Sequence, residues 1–235
     1  MADFNAKGMA AERASRATTI LFDLDGTLID SVELILASFR HASEAVLGER
    51  RPDEVLLKDV GMPLAKQMEI IAPGRGEEMV RSYREHNNLH HDELLKEYPG
   101  TREALDELKR RGVRMGIVTS KSRPVAKRGI ERFDYGGYME AVVASDDVEV
   151  HKPDAYPILH AAELMGEDPA CIMYVGDSPH DMSAAIAAGV VSVAALWGAF
   201  PAERVLEPGP DFAIDHLADV LALLDGDGER FIVSR

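Results

Sequence analysis

The chain has 235 residues, 46% of them hydrophobic, with 41 acidic against 26 basic side chains and a formal net charge of -15. Such an excess of negative charge repels nucleic acid and anionic membrane, and no apolar stretch is long enough to span a bilayer, so neither is expected as a partner. The length supports one large domain or a domain with an insertion. The single cysteine, Cys171, rules out an intrachain disulfide and fits a reducing, cytoplasmic setting.

Residues 1–17 lack the apolar core of a signal peptide and read as a flexible N-terminal leader. Thr18–Phe22 is a continuous apolar run, as expected for a strand covered on both faces. From Ser31 to Pro99 no strand is predicted. Val32, Ile35, Leu36, Phe39, Ala42 and Val46 form one long helical face. Further helices are predicted over 53–60, 64–71 and 77–89, separated by the turns Gly61-Met62-Pro63 and Pro73-Gly74. The chain then alternates. Helices over 101–111 (with Thr101 as N-cap), 155–165 and 181–188 interleave with apolar runs at 113–118, 141–144, 172–175, 190–196 and, more weakly, 212–214. The pattern predicts an α/β fold: a doubly wound, Rossmann-like parallel sheet with right-handed crossovers. Residues 18–30 and 99–235 would form its core domain, and 31–98 an inserted helical domain.

The residues that follow the strands carry the chemistry. Asp23 and Asp25 follow the first, Thr119, Ser120 and Lys121 the second, Asp146, Asp147 and then Lys152 the third, and Asp177, Ser178 and Asp181 the fourth. In an open parallel sheet, ligands bind beyond the carboxyl ends of the strands. Two crowded acids repel each other unless a cation lies between them, and a hard cation such as Mg²⁺ takes oxygen ligands. Hydroxyls and an ammonium beside them suit phosphoryl oxygens.

These residues match, in order, the four motifs of the haloacid dehalogenase superfamily: Asp23-x-Asp25-Gly26-Thr27, Thr119, Lys152, and Gly176-Asp177-x-x-x-Asp181. The phrases Asp25-Gly-Thr-Leu-Ile-Asp-Ser31, Ile117-Val-Thr-Ser-Lys121, His151-Lys-Pro153 and Tyr174-Val-Gly-Asp-Ser178 resemble its phosphoglycolate phosphatase and pyrophosphatase branch. The inserted helices resemble that family's four-helix cap.

The resemblance implies Asp23 as nucleophile and Asp25 as general acid and base. Mg²⁺ would be held by Asp23, the carbonyl of Asp25, and Asp177. Thr119 and Lys152 would stabilise the transferring phosphoryl group, with Asp181 and Ser178 behind them. Gly26, Thr27, Ser120 and Lys121 are expected at the bound phosphate. Gly61-Met62-Pro63 is expected at the substrate in the cap, with Lys58 and Lys66 the nearest cations. The implied activity is phosphomonoester hydrolysis on a small phosphorylated metabolite, with phosphoglycolate the leading candidate. A pyrophosphatase and a β-phosphoglucomutase-like mutase are the alternatives. A non-enzymatic receiver domain is disfavoured, because the candidate nucleophile lies within the first acidic pair and a long insertion follows it.

Several features have simpler readings. His86, His90 and His91 would lie on a solvated helix end, and Asp225-Gly-Asp-Gly228 in a solvated turn. Trp197 would pack between a loop and the sheet. Asp146 and Asp147 would support the metal site or only repel other anions from it. The sequence leaves the oligomeric state open.

Overall fold

A computed structural model describes residues 2–233. Its centre is a six-stranded sheet. In chain order the strands are β1 (Thr19–Phe22), β2 (Ile29–Asp30), β3 (Lys96–Glu97), β4 (Arg114–Val118), β5 (Ala141–Val143), β6 (Ile172–Gly176), β7 (Val191–Ala195) and β8 (Phe212–Ile214). The main sheet runs β5-β4-β1-β6-β7-β8, with every pairing parallel. Every residue of β1, β6 and β7 is buried, which explains their unbroken apolar runs. Along β1, Ile20 and Phe22 enter the core on one face and Leu21 the core on the other.

The helices are α1 (Ala2–Ser15), α2 (Val32–Leu47), α3 (Asp53–Leu57), α4 (Leu64–Ile71), α5 (Gly76–Leu94), α6 (Thr101–Arg110), α7 (Arg123–Arg132), α8 (Tyr156–Met165), α9 (Pro179–Ala188), α10 (Ala202–Leu206) and α11 (Asp219–Leu224). Helices α2 to α5 lie between β1 and β4 in the chain and enclose their own apolar cluster, including Phe39, Leu56, Met68, Met79 and Tyr83. The two chain segments that enter and leave this helical insertion pair as a short antiparallel ladder, Ile29 with Glu97 and Asp30 with Lys96. Two-residue strands are too short for periodicity to reveal.

Four expectations are corrected. No strand is predicted between Ser31 and Pro99, yet β3 lies there because the chain leaving the insertion pairs with the chain entering it. The segment read as a flexible leader is helical, and Ala14 within it is completely buried. Its seam is made of small alanines, Ala10 and Ala14 one helical turn apart, which a search for large apolar residues passes over. The last helix of the insertion runs to Leu94, because Met79, Tyr83, Asn87 and His91 continue one buried stripe whose final members are polar. His91 is therefore fully buried and not on a solvated end. Thr101 is the first residue of α6 and not its cap. Gly100 takes the cap position at φ 82°, and the buried Thr101 hydroxyl has no partner among the described residues.

The chain leaves β1, adds β4 and β5 on one side, then returns to place β6 on the other. The topological switch thus lies at β1. Register aligns Phe22 with Ile117 and with Val175, so the residues that follow these three strands emerge together on the carboxyl side of the sheet.

Candidate active site

Lys152 is the hub. Its ammonium is buried and donates to Asp181 Oδ1 at 2.5 Å and Asp23 Oδ1 at 2.9 Å, with the Tyr174 hydroxyl at 3.0 Å and the Val118 carbonyl at 3.2 Å. An ammonium has three protons. The Tyr174 hydroxyl can accept one of them while donating to Asp181 Oδ1 at 3.0 Å or to Val118 O at 3.1 Å. Asp181 is fixed from its other oxygen by the backbone N–H of Ser178 at 3.0 Å and the Ser178 hydroxyl at 2.5 Å. Ser178 and Asp181 form the capping box of α9, so the helix start and the lysine partner are one structure.

Asp177 lies on the other side of Asp23. Its Oδ1 accepts from the Thr27 hydroxyl at 3.2 Å, and its Oδ2 from the Ala199 N–H at 2.9 Å. Two glycines make room for it. A Cβ on Gly26, which sits at φ 78°, would fall 2.2 Å from Asp177 Oδ2, and a Cβ on Gly198 would fall 2.1 Å from the same atom. Gly26 was expected to spare the phosphate; in the structure it clears the carboxylate of Asp177. Trp197 donates its indole N–H to the Thr27 carbonyl at 3.0 Å, which ties this loop to the first motif.

The charges do not balance. Asp23, Asp177 and Asp181 each offer an oxygen within 4.8 Å of the others, and among the described residues only Lys152 is salt-bridged to any of them. Burial pushes the Asp23 carboxyl up to about 7 against the pull of Lys152. Burial, with Asp181 and Asp23 nearby, also holds Asp177 well above the carboxylate range. Burial opposes the Lys152 ammonium, but Asp181 and Asp23 together keep its pKa raised. Three buried carboxylates around one ammonium leave an excess of negative charge that a divalent cation would neutralise, and an all-oxygen donor set suits a hard one. Asp181 is ion-paired to Lys152 and braced by Ser178, whereas Asp23 and Asp177 both face an open cavity. Asp23 and Asp177 are thus the better-placed pair of ligands, with Asp181 bracing the lysine.

A cavity of about 300 Å³ opens above this cluster. It brings together Asp23, Asp25, Gly26, Thr119, Ser120, Lys121, Asp177 and Ser178 from the sheet, and Gly61, Met62 and Pro63 from the insertion. Thr27 and Asp181 lie behind it, and Lys152 is beneath it. Lys121 donates to Asp25 Oδ1 at 2.5 Å, so the second acid of the pair is held apart from the first. Thr119 Oγ1 accepts from the Lys121 N–H at 3.2 Å, and Ser122 takes the N-cap position of α7. Among the described residues, the buried hydroxyls of Ser120, Ser31 and Tyr98 have no hydrogen-bond partner. Gly61 sits close against Ser178 and His180, so the inserted loop touches the start of α9.

Other candidates lie elsewhere. Asp147 pairs with Arg123, and Asp146 Oδ1 accepts the Arg123 N–H at 2.7 Å, so both anchor the start of α7. Lys58 and Lys66 do not line the cavity. Instead Arg84 of α5 does. Tyr174, Gly198 and Arg84 are site residues that the sequence reading missed. Tyr174 had a legible position, within the strand ahead of Gly176-Asp177, but its role depends on which face it takes.

The family model for haloacid dehalogenase-like hydrolases matches residues 20–195. Pyrophosphatase PpaX of Bacillus velezensis is 38% identical over 206 residues, covering 88% of this chain and 95% of that protein. The solved structure of a haloacid dehalogenase-like family hydrolase from Streptococcus pneumoniae superposes with a TM-score of 0.78 at 25% identity, covering 88% of this chain and 98% of the other. That of a predicted phosphoglycolate phosphatase from Haemophilus somnus gives 0.81 at 23% identity, over 88% and 98%, a likeness of fold alone.

Proposed function

Because the chain belongs to the haloacid dehalogenase-like hydrolases, we propose that it is a Mg²⁺-dependent phosphohydrolase acting on inorganic pyrophosphate through an aspartyl-phosphate on Asp23. The observation that carries the reaction centre is the buried Asp23–Lys152–Asp181 chain beside an Asp177 that has no basic partner among the described residues, all beneath one cavity. In this reading an oxygen of Asp23 attacks phosphorus while the bond to the leaving oxygen breaks. Asp25, positioned by Lys121, gives that oxygen its proton and later takes one from the water that hydrolyses the acyl phosphate. Lys152 holds Asp23 in place and faces the negative charge of the phosphoryl oxygens. Thr119 and Ser120 donate to those oxygens. Bound Mg²⁺, with Asp23, the Asp25 carbonyl and Asp177 as ligands, would neutralise the phosphoryl charge and so allow one anion to approach another.

Pyrophosphate is preferred because relatives carrying the name pyrophosphatase are 36–38% identical across nearly their whole length. Phosphoglycolate ranks second, since solved structures carrying that name are 23% and 26% identical, below the relatives named pyrophosphatase. Cytoplasmic location accompanies the proposal. Among the described residues, no helix is long and apolar enough to cross a membrane. The test is phosphate release from pyrophosphate, phosphoglycolate and hexose phosphates, with and without Mg²⁺. Turnover of pyrophosphate is expected to lead and to vanish with chelator; absence of pyrophosphate turnover overturns the substrate.

A further inference from the structure

The cavity is much larger than pyrophosphate requires, and its walls are of two kinds. About 300 Å³ is the lower end of the range that encloses a whole organic ligand. The sheet contributes acids, hydroxyls and Lys121. The insertion contributes apolar side chains, Ile35, Phe39, Val60, Met62 and Leu64. These side chains offer nothing to the second phosphoryl group of pyrophosphate. They would cover a flat or aliphatic segment instead.

Arg84 also lines this cavity, on the same face of α5 as Asn87 and Asn88. Among the described residues Arg84 has no ion-pair or hydrogen-bond partner. Other arginines of the insertion are engaged: Arg40 with Asp53 and Arg75 with Glu78. Lys121, the other cation lining the cavity, is already committed to Asp25. A guanidinium at the cavity wall with no acid of its own is suited to a ligand anion, which it can grip with two parallel hydrogen bonds.

We infer that Arg84 determines specificity at this centre: among phosphomonoesters it favours those whose leaving alcohol or phenol carries an apolar segment ending in an anion, which it pairs. This rests on Asp23 as nucleophile. Asp23 forms the new P–O bond as the ester P–O bond breaks, and the Asp25 proton goes to the leaving oxygen. Water then cleaves the acyl phosphate, returning a proton to Asp25 and releasing inorganic phosphate.

The test compares 4-carboxyphenyl phosphate with phenyl phosphate, in the presence of Mg²⁺, for the wild type, Arg84→Gln, Arg84→Lys and Asp23→Asn. Comparing the ratio of kcat/KM for the two esters between proteins cancels their intrinsic reactivities. The ratio is expected to fall about tenfold in Arg84→Gln, mostly through KM, and to recover in part in Arg84→Lys. Arg84 is exposed, so circular dichroism should show all Arg84 variants folded. An unchanged ratio, or a wild type that cleaves pyrophosphate but neither aryl ester, overturns the inference while leaving the reaction centre intact. Pyrophosphate turnover that survives Asp23→Asn overturns the nucleophile assignment instead.

Discussion

At the scale of single residues, the site is a problem of unbalanced buried charge. Lys152 and its two carboxylate partners are all buried, so removing the ammonium strands both. Lys152→Met is therefore expected to lose activity and to destabilise the fold by about 3 kcal/mol, read from urea unfolding. Asp23→Asn should behave differently. It keeps the size and one acceptor toward Lys152, so the fold should survive while phosphate release drops by at least about a thousandfold. Turnover near the wild-type rate in that variant would remove Asp23 from the mechanism. Gly26 and Gly198 show how little slack surrounds Asp177, since a single added Cβ would overlap its carboxylate. These glycines follow from the tertiary position of Asp177, and only Gly26 sits within a motif that flags it.

At the scale of elements, α9 and α5 place functional groups through local rules. The capping box of α9 locks Asp181 toward Lys152. Ser178→Ala should cost about 1 kcal/mol of stability as the cap is lost, and should also loosen Asp181, lowering kcat. On α5 the buried stripe ends in His91. Burial, aided by Arg128 and Lys121, outweighs Asp92 and holds the imidazole below its ordinary value of 6.5. The folded state then binds fewer protons than the unfolded one as pH drops below about 6.5, so this residue's contribution to stability is lost on acidification. Denaturant midpoints between pH 7.5 and 5 should fall more steeply for the wild type than for His91→Gln. Equal slopes would show that His91 does not titrate on unfolding.

At the scale of the whole molecule, the switch point at β1 gathers the ends of β1, β4 and β6, and the helical insertion supplies the opposite wall of the cavity. Because the carboxylate cluster exists only in the folded chain, a bound cation should stabilise the fold by mass action. Mg²⁺ at a hundred times its Kd would add about 2.7 kcal/mol, or roughly 5–10 °C in melting temperature for a chain of this size. Calorimetric titration should show that Asp177→Asn weakens Mg²⁺ binding and erases that shift. An undiminished shift in Asp177→Asn would exclude Asp177 as a ligand.

The sequence by itself determined the sheet and which polar residues stand at the ends of its strands. Strands buried on both faces must be continuously apolar, so β1, β4, β6 and β7 were legible to within a residue or two, and the acids, hydroxyls and lysine stood at their ends. It also located the inserted helices, since the turns at Gly61 and Gly74 punctuate a clear helical period. Tertiary structure alone decided the rest. The alanine seam of α1, the polar continuation of α5 and the ladder between β2 and β3 have no hydrophobic signature in one dimension. Tyr174, Gly198 and Arg84 acquire their places because distant segments converge on one cavity. Periodicity reports which face of an element is dry, but not which other element will cover it.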